Sequence, residues 1–203
     1  MRVLVACEFS GAVRDAFARR GHDAWSCDLL PTESPGQHIQ GDVLKVINDG
    51  WDIIIAHPPC TYLSGAAHRV WNAPGRAELR EEAHQFVRAI WLANCPRMAV
   101  ENPVGDLNTN WMKPSQVIEP FDYGHSARKR TCLWLRNLPL LRPTRLVELP
   151  QPIYRQHDGK PVHFTESLHG WAARAKTFLG IAEAMAEQWS VLIPVQTRME
   201  FAL

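Results

Sequence analysis

Asp52-Ile53-Ile54-Ile55-Ala56-His57-Pro58-Pro59-Cys60-Thr61-Tyr62-Leu63-Ser64 is the stretch that decides how this chain folds. The run Ile53 to Ala56 predicts a strand covered on both faces, because consecutive β-branched residues suit a sheet with no solvent side. The two prolines fix φ and remove two backbone donors, so the strand has to stop at them. Cys60 therefore stands at a strand exit, on a stiff turn with a polar loop behind it. Ligands of open α/β sheets bind at the carboxyl ends of the strands, which makes this thiol a candidate nucleophile. A buried, inert cysteine is the alternative, since free cysteine is among the most buried residue types.

Toward the N-terminus, Arg2 to Ala6 has the short apolar pattern of a central strand. Cys7-Glu8-Phe9-Ser10-Gly11 follows, then a helix with Val13, Ala16 and Phe17 on one face, closed by Gly21-His22. Asp23 to Cys27 reads as a second strand ending at Asp28. This order predicts a nucleotide-type half-site, with helix N-terminal N–H groups open to a ligand and an acid placed for ribose hydroxyls. An ordinary turn with a surface aspartate is the alternative. Residues 31–50 read as a mixed connection containing Gly41-Asp42-Val43.

Toward the C-terminus, Thr61 to Gly75 has the composition of a mobile active-site loop. Arg76 to Asn94 predicts a helix that buries Leu79, Ala83, Phe86 and Ile90. Arg97 to Val100 is a short strand with Glu101-Asn102-Pro103 at its exit. From Tyr123 to Val147 the chain carries Arg128, Lys129, Arg130, Arg136, Arg142 and Arg145 with no acid, a candidate phosphate-facing surface or else a solvated edge. Thr131 to Leu135 inside it reads as a strand, residues 143–165 show no periodicity, and Thr177 to Leu192 predicts a final helix with Phe178, Ile181, Met185 and Trp189 on one side. The whole is an α/β chain, a mostly parallel sheet with helices on both faces in one domain, residues 1–203.

A length of 203 residues, with 46% hydrophobic and 21% charged residues, is that of one globular domain. No apolar run approaches the roughly 20 residues of a membrane span, so no membrane partner is expected. Met1 to Ala6 lacks the long apolar region of a signal peptide, which predicts a cytoplasmic protein. Five cysteines without a CxxC pair argue for reduced thiols and against a zinc cluster. The nine histidines, His57 included, show no ligand spacing; they read as structural or solvated, and no metal is expected. A net charge of +1 names no partner.

Pro58-Pro59-Cys60 resembles the catalytic Pro-Cys motif of the cytosine-5 DNA methyltransferase family, Glu101-Asn102-Pro103 its Glu-Asn-Val motif, and Ser126-Ala127-Arg128-Lys129-Arg130 its Gln-x-Arg-x-Arg motif. Phe9-Ser10-Gly11, Asp28 and Gly41-Asp42 stand where that family's cofactor contacts stand, and Thr177 to Trp189 resembles the closing motif that folds back onto the cofactor. In order and spacing the chain is most similar to the short phage and prophage members. The resemblance implies a Rossmann-like fold, S-adenosylmethionine as methyl donor held by Phe9, Ser10, Gly11, Asp28, Asp42 and Pro59, and methylation of cytosine carbon 5 in DNA. It implies Cys60 as nucleophile, Glu101 as an acid with a raised pKa that protonates N3, positive charge from Arg128 and Arg130, and Arg130 on the ring carbonyl. A bacterial or phage-infected cell, with DNA protected from restriction, is the implied setting.

The cofactor loop lacks the family's second glycine, and residues 131–176 stand in place of a large target-recognition domain, which implies a short or relaxed sequence preference. A free nucleotide such as dCMP as substrate, and a catalytically silent binder of cofactor or nucleic acid, stay open as alternatives. An amino-group methyltransferase is disfavoured, because an aromatic residue is expected after the prolines and Cys60 stands there.

Overall fold

Val3, Leu4, Val5 and Ala6 have no solvent exposure, and neither have Ile53, Ile54, Ile55 and Ala56. The two runs are adjacent parallel strands at the middle of one sheet, with Val3 opposite Ile53 and Ala6 opposite Ala56. In the computed structural model, which describes all residues except 66–72, 149, 150, 153, 156, 160, 163–174 and 192–203, they are β1 (Arg2–Ala6) and β4 (Ile53–Ala56). The other strands of this sheet are β2 (Asp23–Asp28), β3 (His38–Gln40), β5 (Met98–Pro103), β6 (Gln116–Ile118) and β7 (Thr131–Arg136). The seven-stranded order is β3-β2-β1-β4-β5-β7-β6. β3 to β5 run parallel, β7 is antiparallel to β5, and β6 is antiparallel to β7.

Alternation along the central strands divides the core in two. Val3, Val5, Ile53 and Ile55 pack with α1 (Ala12–Ala18) and the last helix, α4 (Leu179–Trp189), through Val13, Phe17, Met185 and Trp189. Leu4, Ala6, Ile54 and Ala56 pack on the other face with Val87 and Ile90 of α2 (Arg76–Trp91) and Leu107 of α3 (Asp106–Asn110). Each fully buried aliphatic side chain contributes about 1.5–3 kcal/mol. The expected α/β class, a mostly parallel sheet with helices on both faces, is the observed one.

Several details differ from expectation. The connection over residues 31–50 contains β3, which pairs with β2. α2 ends at Trp91, and its buried residues are His84, Val87 and Ile90, while Leu79 is 37% exposed. A count of hydrophobic spacing passes over His84, which is buried because the Asp106 carboxylate pairs with it. Glu101 to Pro103 lie inside β5, since β7 pairs with them as far as Pro103 opposite Thr131. β8 (Tyr154–Arg155) and β9 (Pro161–Val162) form a separate antiparallel pair. Residues 66–72 of the expected active-site loop, residues 163–174 and Leu192 lie outside the described residues. Among the described residues, no helix is long and apolar enough to cross a membrane.

Candidate active site

β1 pairs with β2 on one side and β4 on the other, so the chain segments leaving β1 and β4 diverge. Such a switch point opens a crevice at the carboxyl edge of the sheet. The turn after β1 begins at Cys7, whose φ of 58° is left-handed, uncommon for a side chain other than glycine. It lets the N–H groups of both Cys7 and Glu8 donate to the Cys27 carbonyl, at 2.7 and 3.2 Å.

That turn carries the Glu8 side chain under α1, where its carboxylate accepts from the Val13 and Arg14 N–H groups at 2.7 and 3.2 Å. Ser10 accepts from Ala12 N–H at 3.3 Å. The helix N-terminus expected to be open to a ligand is therefore closed by the protein's own carboxylate, which satisfies the orphan donors and complements the helix dipole. Burial pushes the Glu8 carboxyl up, while His57, the two N–H groups and Arg14 act against it.

At the neighbouring exit, Pro58 is buried and Pro59 and Cys60 are exposed. The Cys60 carbonyl accepts from Leu63 and Ser64 N–H at 3.0 and 2.9 Å, which closes the turn. Two groups tie it to the end of β5. Asn102 Nδ2 donates to the Pro58 carbonyl at 2.8 Å, and His57 Nδ1 lies 3.1 Å from Glu101 Oε2. Asp106 N–H donates to the Leu63 carbonyl at 2.7 Å.

Gly105 makes that last approach possible, since a Cβ there would lie 2.1 Å from the Leu63 oxygen. Gly105→Ala is expected to cost about 1–3 kcal/mol, read as a lower urea midpoint at constant m. It should also raise the rate at which iodoacetamide alkylates Cys60, because the turn is pushed off its support.

Burial by itself would raise the Glu101 carboxyl. The hydrogen bond from His57, the Lys129 charge and a hydrogen bond from Thr131 outweigh it and hold the group below the ordinary glutamate range. This corrects the expected raised pKa: Glu101 is held as a carboxylate.

The cysteines separate cleanly. Cys27, Cys95 and Cys132 are buried, Cys7 is partly so, and Cys60 is exposed. Burial pushes all four of the others up, Cys27 to about 11, with Asp28 and Asp42 adding to the effect at Cys7 and Cys27. They are held as thiols, as expected of inert cysteines.

Because β7 runs antiparallel, its start lies at the edge where the parallel strands end, so Lys129 and Arg130 arrive beside β5. Lys129 faces Glu101 electrostatically, and Arg130 is exposed. Arg128 pairs instead with Glu119 at 3.0 Å, which also accepts from Lys129 N–H. The expected continuous basic surface is divided further at Arg136, whose guanidinium donates to the carbonyls of Trp91, Ala93 and Cys95 at the end of α2. Asp28 and Asp42 stand at the exits of β2 and β3, capping the Leu30 and Leu44 N–H groups at 2.9 and 3.0 Å. Phe9 is buried, and its carbonyl accepts from Glu33 N–H at 2.9 Å. A cavity of about 330 Å³ lies where Lys176 and Thr177, leading into α4, come back onto Ser10 and Ala12.

Sequence reasoning missed Glu8 and above all His57, and named Asn102 and Lys129 only as members of motifs. No sequence signal marks His57: only the register, with Ala56 paired to Val100, makes the next residues on the two parallel strands, His57 and Glu101, neighbours.

Among the described residues, no group of histidine, cysteine and acid side chains could hold a metal ion. No protein-family model matches the chain. No curated protein matches it. Among solved structures it matches the 16S rRNA methylase RmtB at 17% identity, over 66% of this chain and 54% of that one, with a TM-score of 0.29. A likeness of that degree carries no argument about activity.

Proposed function

We propose that the protein methylates carbon 5 of cytosine in DNA through a transient covalent adduct with Cys60. The observation that carries this reading is the exposed thiol on a Pro-Pro turn whose backbone is tied to the adjacent strand beside a half-buried carboxylate. Carbon 5 is a poor nucleophile, and thiolate addition at carbon 6 activates it by pushing electron density to carbon 5. An exposed thiol at the switch point is open to a base flipped out of a duplex, at a cost of a few kcal/mol. Glu101 as a carboxylate accepts the N–H of the cytosine amino group, and Lys129 and Arg130 supply positive charge at that edge.

S-adenosylmethionine is the cofactor this reading requires, and when bound it supplies the methyl group. The residues present fit it. Asp28 and Asp42 offer acceptors for ribose and adenine groups. Glu8 already fills the helix N-terminus, which suits a cationic cofactor without phosphates better than a dinucleotide.

A free nucleotide is the second reading. It is favoured by the division of the basic stretch, in which Arg128 and Arg136 are engaged within the protein.

Labelled-methyl transfer compared across duplex DNA, single-stranded DNA, RNA and dCMP tests both. DNA should be labelled, with rates that fall steeply as salt rises. Efficient, salt-insensitive labelling of dCMP would decide for the nucleotide. Absence of transfer to every cytosine substrate would leave a silent binder.

A further inference from the structure

We infer that His57 is the positioning residue of this site, holding Glu101 through Nδ1 and passing it the proton that Glu101 gives to cytosine N3. The inference rests on the methyltransferase reading above. It starts from a deficit: protonation of N3 requires a carboxylic acid at Glu101, and the site holds a carboxylate.

His57 is placed to make up that deficit. Its backbone N–H donates to the Ala6 carbonyl at 2.9 Å, which fixes it between the exits of β1 and β4. Its side chain is 8% exposed and that of Glu101 14%, with 3.1 Å between Nδ1 and Oε2. The charged groups that face the pair come from each neighbouring strand: Glu8 after β1, Glu101 on β5, and Lys129 before β7.

His57 Nε2 is buried and has no hydrogen-bond partner among the described residues. In neutral imidazole with its proton on Nδ1, that nitrogen is a buried acceptor without a donor. In the imidazolium it carries a proton near the buried Glu8 side chain.

The step balances. The Cys60 thiolate bonds to carbon 6, and the π pair moves toward carbon 5 and the ring. The Nδ1 proton of the His57 imidazolium moves to the Glu101 carboxylate, leaving neutral imidazole, and the carboxylic acid so formed gives its proton to N3. When the thiolate later leaves, the proton returns along the same path. Glu101 touches the base, and His57 acts only through Glu101.

Two experiments test this. The first needs no turnover: the His57 Nδ1–H proton is followed by NMR in the wild type and in Glu101→Ala. Its downfield, hydrogen-bonded resonance should be lost when the carboxylate is removed; an unchanged resonance overturns the coupling. The second compares the pH profiles of labelled-methyl transfer to duplex DNA for the wild type and His57→Asn. Asparagine places an N–H donor near the position of Nδ1 and cannot carry the proton. Its kcat should fall about 10²-fold at pH 8 and recover partly as pH drops and solvent protonates Glu101, with KM and S-adenosylmethionine affinity nearly unchanged. A wild-type profile in His57→Asn overturns the inference alone. A wild type that methylates no cytosine substrate overturns the methyltransferase reading, and the inference with it.

Discussion

Cys60→Ser is expected to abolish methyl transfer, lowering kcat by about 10⁴-fold or more, as loss of a covalent nucleophile does when the catalytic groups act as a unit. A serine hydroxyl at neutral pH has almost no alkoxide to add to carbon 6, whereas a thiol ionises within reach of neutral pH. The fold should not notice the change. Cys60 is exposed, and its backbone carbonyl, which the substitution leaves in place, closes its turn. Stability should stay within about 0.5 kcal/mol, and S-adenosylmethionine affinity should be unaltered. DNA containing 5-fluorocytosine should trap the wild type as a covalent adduct seen on denaturing gels, and should not trap the serine variant. Transfer within tenfold of wild type in Cys60→Ser would end the nucleophile assignment.

Arg14→Ala is expected to be the most destabilising single change in the chain, at about 3–5 kcal/mol. Arg14 is 1% exposed although it lies on a short helix next to solvent-facing turns. All of its N–H donors are used. Nε bonds Asp15 at 2.7 Å, Nη1 bonds the Ser26 and Thr32 hydroxyls, each at 3.1 Å, and Nη2 bonds the Ser34 and Pro35 carbonyls at 3.0 and 3.2 Å. Alanine strands these acceptors and opens a void beneath residues 32–36.

The chain is built around this side chain. A Cβ at Gly11 or Gly36 would stand 2.4 or 2.7 Å from the guanidinium. Urea unfolding should show the loss in full, and limited proteolysis should cut first within residues 29–36. Arg14→Lys should recover only part of the stability, because a point charge cannot reproduce a planar fork of five donors. A loss below about 1 kcal/mol in Arg14→Ala would show that the network contributes little.

What the sequence determined by itself was everything that depends on local pattern. Ile53 to Ala56 and Val3 to Ala6 had to be central strands, because a run of β-branched and aliphatic residues pays its entropy only when covered on both faces. Ile181, Met185 and Trp189 had to share a helix face, and they are all buried. Pro58-Pro59 had to end β4 and leave Cys60 at its exit. These readings need only the periods of a strand and a helix.

Tertiary structure decided the rest, because it depends on pairing between residues far apart in the chain. β3 and β6 are three residues each, too short to carry a pattern, and exist because a longer neighbour pairs with them. The reversal of β7 brings Lys129 and Arg130 to the edge where β4 and β5 end, and only register sets His57 beside Glu101. Glu8, Arg14, Arg136 and His84 look like surface polar residues in the sequence. Each is drawn inward by partners distant in the chain or by free backbone groups, since a buried polar group is tolerated only where its hydrogen bonds are met. Local pattern placed the thiol, and long-range pairing chose the groups that surround it.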